Sequence, residues 1–339
     1  MSDLQLPLLR SPVRRLTGVR MIGTGSYVPE RIVRNEDLAA LGYDADWILQ
    51  RTGIRERRFA LAEQATSDLA IAAAQRCLDS AGIAREEVDL VVVGTFTGDQ
   101  PTPSVACLVQ DALKLTAPAI DVNAACAGFM YALITGMQYV ATGCSRNALV
   151  IGADCNSRIC NPTDKKTFPL FGDGAGAILL SAGSSEQGLL SYTMGADGSG
   201  GNLLCIPGGG SRIPTSVESI AENKQFLYMD GRPVFKWAIQ LVTDTIYAVL
   251  RDAGMAIGDV DYFVLHQANL RIIDAVADKL QIPGEKILNN LQRYGNTSAG
   301  SIPLVLDEAV REGKIHAGSK VLLCGFGAGL AWGTGLFAW

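Results

Sequence analysis

An internal repeat constrains the fold of this chain more than any other feature of its sequence. The stretch CLDSAGIAREEVDLVVVGTF, residues 77–96, aligns with VLRDAGMAIGDVDYFVLHQA, residues 249–268. Each copy has the pattern of a helix end, an Ala-Gly stop, a short acidic loop and a buried strand. Matched positions such as Gly82 and Gly254 lie 172 residues apart. The repeat predicts two structurally similar halves that each mix strands and helices.

The same spacing connects the segments that carry candidate chemistry. Applied to Cys126 it gives Ser298, and ALVIGAD at 148–154 matches VLLCGFG at 321–327 with a spacing of 173 residues. Apolar runs such as LVVVG and ALVIG are typical of strands in a sheet that helices cover on both faces. Equivalent ends of two such halves can face one cleft, so we expect Cys126 to lie near the segment 294–298.

The domain organisation follows from the repeat. The small, polar stretch SAGSSEQG places the boundary near residues 185–195. We therefore predict an α/β protein with an N-terminal half at 18–188, which contains Cys126, and a C-terminal half at 189–339. Residues 1–17 are expected to form a surface extension. Their positive charges follow the short apolar stretch, which is the wrong order for a signal peptide.

Charge and cysteine usage exclude several classes of function. The net charge of −5 argues against nucleic acid as a partner. No apolar run approaches the ~18 residues of a membrane-spanning helix. The eight cysteines are scattered without a C-x-x-C pair, and there are only two histidines, which argues against a metal site. We expect a cytoplasmic protein in which most thiols are reduced and buried as small apolar groups.

Glycine runs raise the question of a nucleotide cofactor. A dinucleotide fingerprint needs a helix directly after its glycines and an acidic residue about 20 positions later. GDGAGAILL instead continues into a strand-like segment, and GFGAGLAWGTGLFAW ends the chain at Trp339. We therefore predict no nucleotide cofactor. The glycines at 325–329 follow a predicted buried strand, where they can bring backbone amides close to a reacting centre, as in an oxyanion hole.

Three side chains are candidates for catalysis. Cys126 begins a predicted helix among the small residues of NAACAG, and a helix start can lower the pKa of a thiol. His266 ends the strand of VDYFVLHQAN, and Asn296 precedes a helix in YGNTSAG. Each has a structural alternative when taken alone: a buried core thiol, a hydrogen-bonded histidine or a helix-capping asparagine. The repeat favours a joint role because it sets Cys126 and Asn296 at corresponding helix starts.

Several stretches together resemble one known family. From Arg20 to Trp339 the sequence is similar to the β-ketoacyl-acyl-carrier-protein synthase III enzymes of the thiolase superfamily. The stretches that carry the resemblance are GTGSYVPE, WILQRTGIRERRF, NAACAGFMYAL, PTD with FGDGAGA, HQANLRII, GNTSAGSIPLVLDEA and GFGAGLAWG. The resemblance implies a thiolase-like fold in which two duplicated α/β halves form a layered αβαβα core.

The resemblance also implies a reaction. Cys126 would be acylated by an acyl-CoA primer, and malonyl-acyl-carrier protein would then lose CO2 and attack the acyl group to give a 3-ketoacyl product, initiating fatty-acid or related polyketide synthesis. His266 and Asn296 would donate hydrogen bonds to the enolate, and the backbone amides of Cys126 and Ala328 would form the oxyanion hole. The two thioesters are substrates, so no cofactor is implied. Related elongating synthases use a second histidine, but His316 lies in a predicted surface turn.

Binding residues follow from the same resemblance. Thr102 matches a position where some relatives carry a phenylalanine that closes the acyl pocket across a homodimer, which predicts a deeper pocket here. Trp47 is expected to stack on adenine, with Lys165 in place of an arginine. The implied CoA and substrate contacts are Trp47, Arg51, Lys165, Arg232, Phe235, Asn269 and Phe326. The implied carrier-docking residues are Gln267, Ala268, Asn269, Leu270, Arg271, Lys236 and Lys279.

Three other functions stay open at this point. An acyltransferase on the same fold would move the acyl group from Cys126 to an alcohol or amine, although simple transfer does not need Asn296. A non-catalytic acyl-CoA-binding protein would not need both Cys126 and His266. A Cys-His-Asn peptidase would need a peptide cleft, for which the sequence gives no signal. Release of CO2 from a malonyl thioester separates the condensing enzyme from all three.

Overall fold

The computed structural model describes residues 11–339, which form two five-stranded sheets, two short hairpins and the helices around them. The strands are β1 (Arg14–Thr17), β2 (Val19–Tyr27), β3 (Arg31–Arg34), β4 (Glu56–Phe59), β5 (Leu90–Gly94), β6 (Ala119–Val122), β7 (Asn147–Cys155), β8 (Asp173–Ala182), β9 (Gly188–Ala196), β10 (Leu204–Cys205), β11 (Tyr228–Met229), β12 (Tyr262–Leu265), β13 (Lys320–Gly327) and β14 (Ala331–Ala338). The helices are α1 (Ala45–Thr52), α2 (Thr66–Ala81), α3 (Val105–Ala112), α4 (Gly128–Ala141), α5 (Val217–Ala221), α6 (Gly231–Ala253), α7 (Leu270–Leu280), α8 (Leu291–Tyr294) and α9 (Ser301–Arg311).

The two large sheets share one topology. The first has the strand order β2-β8-β7-β5-β6 and the second the order β1-β9-β14-β13-β12. In the first, β5 is parallel to β6 and β7, and β8 is antiparallel to β2 and β7. In the second, β12 is parallel to β13, and β14 is antiparallel to β13 and β9. The chain crosses from the first sheet to the second between β8 and β9.

The helices complete five layers. Helices α4 and α9 lie between the sheets, where their apolar side chains pack in one core with inward-facing residues of both sheets. Helices α2 and α3 cover the outer face of the first sheet, and α6 and α7 cover the outer face of the second. This confirms the predicted layered αβαβα fold. None of the helices in residues 11–339 combines the length and apolar character needed to cross a membrane.

The repeat is confirmed in the structure, with one correction to its register. Helices α2 and α6 both end at a left-handed glycine, Gly82 and Gly254, which preserves the spacing of 172 residues. The 3₁₀ turns Ala125–Ala127 and Ser298–Gly300, however, lie 173 residues apart and lead directly into α4 and α9. The predicted match of Cys126 with Ser298 is therefore wrong by one residue, because the second half has gained a residue before its turn.

The predicted surface extension also needs a correction. Arg14–Thr17 form β1, which pairs antiparallel with β9 at the edge of the second sheet. These residues fall within the predicted extension 1–17, but they are part of a sheet. Strand pairing across more than 170 residues of sequence leaves no local pattern to read. The first ten residues of that prediction lie outside the described part of the chain.

Each half of the molecule contributes a buried carboxylate that the other half satisfies. Asp154 on β7 accepts a hydrogen bond from the backbone amide of Ala299 at 3.1 Å. Asp307 on α9 accepts hydrogen bonds from the hydroxyl groups of Thr24 and Ser26 on β2. Burial raises the pKa of Asp154. Because an unpaired buried charge is strongly destabilising, these contacts fix the halves against each other.

Candidate active site

The structure places Cys126 in the 3₁₀ turn between β6 and α4. Its side chain is buried, and the Ser298 hydroxyl donates a hydrogen bond to its sulfur at 3.3 Å. Gly327, at the end of β13, packs directly on this residue. A Cβ atom added at Gly327 would lie 2.7 Å from the Cβ of Cys126, so only glycine fits there without displacing the thiol.

Burial decides the protonation state of this thiol. It raises the pKa of Cys126 to about 12, while the hydrogen bond from Ser298 and the backbone amide of Cys126 act in the opposite direction. The sequence predicted the position at a helix start correctly, but the expected lowering of the pKa is outweighed by loss of solvent. Cys126 is therefore a neutral thiol at pH 7 and has to lose its proton as it reacts.

His266 follows β12 and is held by the start of α9. Its Nδ1 lies 2.8 Å from the Ser301 hydroxyl oxygen, which also accepts a hydrogen bond from the Gln267 amide at 3.5 Å. Ser301 therefore donates its hydroxyl hydrogen to Nδ1, and the ring carries its own hydrogen on Nε2. Burial lowers the pKa of His266 to about 3, so the ring is neutral at pH 7.

Asn296 is fixed through both its backbone and its side chain. Its amide donates to the Leu170 carbonyl at 2.9 Å, and its carbonyl accepts from the Gly172 amide at 3.0 Å. Its side-chain Oδ1 accepts a hydrogen bond from the Ser298 amide at 2.8 Å. Because Oδ1 is engaged, the side chain offers its Nδ2 donor to the cavity that it lines.

The three candidates meet at one cavity of about 190 Å³. Its lining is largely apolar and consists of Cys126, Leu170, Phe171, Leu204, Met229, Gly231, Val234, Phe235, Trp237, His266, Ala268, Asn269, Ile272, Asn296, Phe326 and Gly327. A thiol, a neutral imidazole and an amide donor therefore share a site with limited access to water. Such a site suits attack by the thiol and stabilisation of a developing oxyanion by neutral donors.

A larger cleft of about 740 Å³ adjoins this cavity. The two share four lining residues: Leu170, Met229, Gly231 and Asn269. Of the predicted CoA and substrate contacts, Phe235, Asn269 and Phe326 line the inner cavity, and Trp47, Arg51, Lys165, Arg232 and Asn269 line the outer cleft. The structure thus brings this whole set to one continuous entrance.

The predicted oxyanion residue Ala328 directly follows Gly327. Gly327 lines the cavity beside Cys126, and Ala328 is half-buried at the end of the same strand. Thr102, by contrast, is exposed and does not line the inner cavity of its own chain. Among the residues that the structure describes, no cluster of three or more His, Cys, Asp or Glu side chains is arranged to hold a metal ion.

The predicted docking segment divides into exposed and buried parts. The side chains of Arg271, Lys236 and Lys279 are exposed on α6 and α7. Asn269 is half-buried and caps α7 by accepting a hydrogen bond from the Arg271 amide at 2.9 Å. Ala268 is half-buried and lines the inner cavity. The exposed cations leave a basic patch beside the cleft.

Two predicted docking residues have structural contacts. Gln267 is buried, donating from Nε2 to the Leu265 carbonyl at 2.6 Å and accepting from the Asn290 amide at 3.2 Å. The prediction that it docks a partner is therefore wrong, because both ends of its amide are used inside the protein. Leu270 is half-buried and packs over Gly53, which ends α1; a Cβ atom at Gly53 would lie 2.4 Å from the Cβ of Leu270.

Sequence reasoning missed three residues that shape the site. Ser298 contacts the sulfur of Cys126, and Ser301 orients His266. Both lie in GNTSAGS beside Asn296, so their place at the helix start was a usable signal. Tyr43 stacks on Trp47 at the outer cleft, with ring centroids 3.9 Å apart and planes inclined by 11°. Its spacing of four residues from Trp47 was the available signal.

Comparisons with known proteins agree with this site. The family profile described as 3-oxoacyl-[acyl-carrier-protein (ACP)] synthase III matches residues 120–198, and that of its C-terminal part matches residues 250–339. The β-ketoacyl-[acyl-carrier-protein] synthase III of Rhodopirellula baltica is 54% identical over 342 residues, covering 96% of this chain and 99% of the relative.

Solved structures extend the comparison to the fold. The crystal structure of 3-oxoacyl-[acyl-carrier-protein] synthase III from Aquifex aeolicus is 40% identical with a TM-score of 0.88, covering 95% of this chain and 100% of that one. The priming β-ketosynthase of the R1128 polyketide pathway is 36% identical with a TM-score of 0.87, covering 98% of this chain and 99% of that one.

Proposed function

Because the chain belongs to the β-ketoacyl-[acyl-carrier-protein] synthase III family, we propose that Cys126, His266 and Asn296 form its catalytic centre. The protein is a transferase that condenses an acyl primer with malonyl-acyl-carrier protein in fatty-acid synthesis. The observation that supports the assignment of residues is their meeting at one cavity of about 190 Å³. The thiol contributes the nucleophile, and the other two side chains contribute neutral hydrogen-bond donors.

The first step loads the primer. The sulfur of Cys126 attacks the carbonyl carbon of acyl-CoA, the bond from that carbon to the CoA sulfur breaks, and the thiol proton leaves with the CoA thiolate. The backbone amides of Cys126 and Ala328 stabilise the oxyanion of the tetrahedral intermediate. Because the pKa of Cys126 is about 12, proton loss accompanies formation of the new bond.

The second step decarboxylates and condenses. As CO2 leaves the malonyl thioester, its electrons move toward the thioester oxygen, where His266 Nε2 and Asn296 Nδ2 donate hydrogen bonds. The enolate carbon then attacks the acyl group on Cys126, and the thiolate that is released takes up a proton. Neutral donors suit this step, since they stabilise the enolate without having to transfer a proton to it.

The outer cleft binds the carriers of both acyl groups. Arg51, Lys165 and Arg232 line it and provide positive charge for the phosphates of CoA and of the carrier's arm. The exposed Arg271, with Lys236 and Lys279, forms the docking patch for an acidic carrier protein, although the enzyme itself is net negative. The thioesters are substrates, and the reaction proposed here needs no further cofactor.

A homodimer is supported by the edge of the first sheet. Strand β6 ends the strand order, and its Ile120 is 38% exposed. An exposed edge strand with an apolar side chain is a site for pairing with another chain. Thr102 is exposed outside its own cavity, as expected for a residue that closes the acyl pocket of the partner subunit.

The experiment that tests this function follows CO2. Purified protein with acyl-CoA and malonyl-acyl-carrier protein is expected to release one CO2 for each 3-ketoacyl product, and Cys126→Ala is expected to release neither product. Transfer of the acyl group to an alcohol or amine without CO2 would support the acyltransferase alternative instead. Binding of acyl-CoA without an acyl-enzyme would support the non-catalytic alternative.

A further inference from the structure

The mouth of the outer cleft contains a ladder of stacked aromatic and cationic groups. The rings of Tyr43 and Trp47 are nearly parallel, with centroids 3.9 Å apart and an interplanar angle of 11°. The Lys165 Nζ lies over the Tyr43 ring at 5.4 Å, and the Arg51 guanidinium lies over the Trp47 ring at 5.6 Å. Tyr43 comes four residues before Trp47 and Arg51 four residues after it, so the two groups flank the indole along α1.

Packing holds Tyr43 in this position. Its ring is half-buried against an apolar cluster that includes Leu38 and Ile48. Asp44 caps α1 by accepting a hydrogen bond from the Trp47 amide at 2.6 Å, which fixes the indole relative to the preceding tyrosine. Gly42 has a left-handed φ of 75°, and its lack of a side chain leaves room for the Lys165 Nζ.

The arrangement affects the two acyl carriers differently. A purine recognises an indole by stacking on its face, and in this chain Tyr43 covers one face of Trp47. An adenine that uses this face has to displace Tyr43 and break an aromatic pair. A phosphopantetheine arm has no ring at its phosphate end, so the cations Arg51, Lys165 and Arg232 can bind its phosphate while the stack stays intact.

We propose that Tyr43 is a specificity residue that disfavours the adenine end of CoA relative to a bare phosphopantetheine arm. The proposal rests on the proposed function, in which acyl thioesters enter through this cleft. It assigns to the entrance a preference between acyl carriers, separate from the preference of the inner cavity for an acyl chain. Primers presented on a carrier protein lose less binding energy to this stack than primers presented on CoA.

The test compares two primers with the same acyl group. Loading of Cys126 is measured as kcat/KM for acyl-CoA and for acyl-phosphopantetheine, which lacks the adenosine part, on wild type and on Tyr43→Ser. The ratio of CoA to phosphopantetheine is expected to rise about three- to tenfold in Tyr43→Ser, the effect of one aromatic pair. Tyr247→Ser, which removes an exposed tyrosine on α6, is the matched control and is expected to keep the wild-type ratio.

Two further variants protect the test against misfolding. Tyr43→Leu keeps the apolar contact with the cluster but not the flat ring, and is expected to raise the ratio as Tyr43→Ser does. Tyr43→Phe keeps the ring and is expected to retain the wild-type ratio. An unchanged or lower ratio in both Tyr43→Ser and Tyr43→Leu overturns the proposal, because Tyr43 would then be neutral toward adenine or support it.

The proposed function can fail separately. Each protein is also given acyl-phosphopantetheine and malonyl-acyl-carrier protein, and CO2 release is followed. Wild type that loads the primer but releases no CO2 would contradict the condensing function, whereas the ratio of loading rates would still report on Tyr43.

Discussion

The turns before α4 and α9 show one local structure used for two chemical purposes. Each is a three-residue 3₁₀ turn that begins with a left-handed residue, Ala125 or Ser298, and leads into a central helix. Two residues upstream each has an asparagine whose Oδ1 accepts the amide of that left-handed residue. The hydrogen bond is 3.4 Å long from Ala125 to Asn123 and 2.8 Å long from Ser298 to Asn296.

The difference lies in what each turn presents to the cavity. The first presents the thiol of Cys126, and its Asn123 is exposed away from the cavity. The second has Ala299 at the position of the thiol, and its Asn296 is buried and lines the cavity. Duplication supplied two equivalent backbone frames, and the nucleophile and the amide donor were divided between them. Equivalent geometry therefore does not predict equivalent function.

Removal of the nucleophile tests the first frame and has the largest expected effect. Cys126→Ala is expected to lower acyl loading by at least about 10³-fold, because no other side chain at the cavity replaces the thiol. The measurement is the acyl adduct located by mass spectrometry after incubation with acyl-CoA. An adduct on a different cysteine, or turnover at the wild-type rate, would contradict the assignment.

The two asparagines test the division directly. Asn296→Ala is expected to lower decarboxylation of the malonyl thioester by about 10²- to 10³-fold, with a much smaller loss of acyl loading, since the amide donor acts on the enolate. His266→Ala is expected to behave in the same way. Asn123→Ala removes the equivalent residue of the first frame and should change both steps only slightly. CO2 release and Cys126 acylation are measured separately.

Equal loss of loading and decarboxylation in His266→Ala would indicate instead that His266 serves as the base for the thiol. A large loss in Asn123→Ala would indicate that both asparagines act mainly by holding their turns. Circular dichroism of each variant separates this outcome from unfolding.

The pH dependence of alkylation sharpens the comparison, because Ser298 of the second frame contacts the thiol of the first. With a pKa of about 12, the thiolate fraction of Cys126 rises about tenfold per pH unit, so alkylation by iodoacetamide should be about 100-fold faster at pH 9 than at pH 7. Ser298→Ala removes a hydrogen bond that lowers this pKa and should slow the reaction at each pH. Peptide mapping isolates the rate at Cys126; a plateau below pH 9 would refute the prediction.

A substitution near the first frame tests whether that half sets the primer. Thr102→Phe is expected to lower kcat/KM for long acyl primers by about fifteen- to sixtyfold, the effect of two or three methylenes at roughly fourfold each, and to spare acetyl-CoA. We expect wild type to accept octanoyl- and dodecanoyl-CoA at least as well as acetyl-CoA. A strong preference of wild type for acetyl-CoA that Thr102→Phe leaves unchanged would mean that other side chains close the pocket.

The smallest expected effect concerns the carrier-docking patch of the second half. Arg271→Glu should raise the KM for malonyl-acyl-carrier protein about three- to tenfold and weaken its dependence on salt, as loss of charge steering does. Lys114→Glu makes the same change in net charge at an exposed site on the other half and should leave this KM near the wild-type value. If both variants respond alike, net charge rather than a docking patch sets the KM.

The catalytic residues were predictable because the sequence carries their positions in local signals. Cys126 and Asn296 precede helices, His266 ends a strand, and the repeat brings these ends to one cavity. The one-residue shift between the halves was not predictable, since the residue was gained in a stretch with no matching sequence. The strand Arg14–Thr17 was missed for a related reason, because its partner is distant in the sequence.

Properties that depend on the surroundings of a side chain were the least predictable. Gln267 lies in a segment with exposed neighbours, but its hydrogen bonds to Leu265 and Asn290 bury it. The position of Cys126 at a helix start suggested a low pKa, whereas the whole cavity determines how far the thiol is removed from water. Local sequence specifies which groups meet, but not how far each is removed from solvent.

The reciprocal carboxylates have a consequence for the history of the gene. Asp154 of the first half depends on the Ala299 amide of the second, and Asp307 of the second depends on Thr24 and Ser26 of the first. Either half expressed alone would expose or strand its own carboxylate, so neither can be exchanged as an independent cassette by recombination. After duplication the halves became an inherited pair, in which a change at one carboxylate can be compensated only by a change in the opposite half.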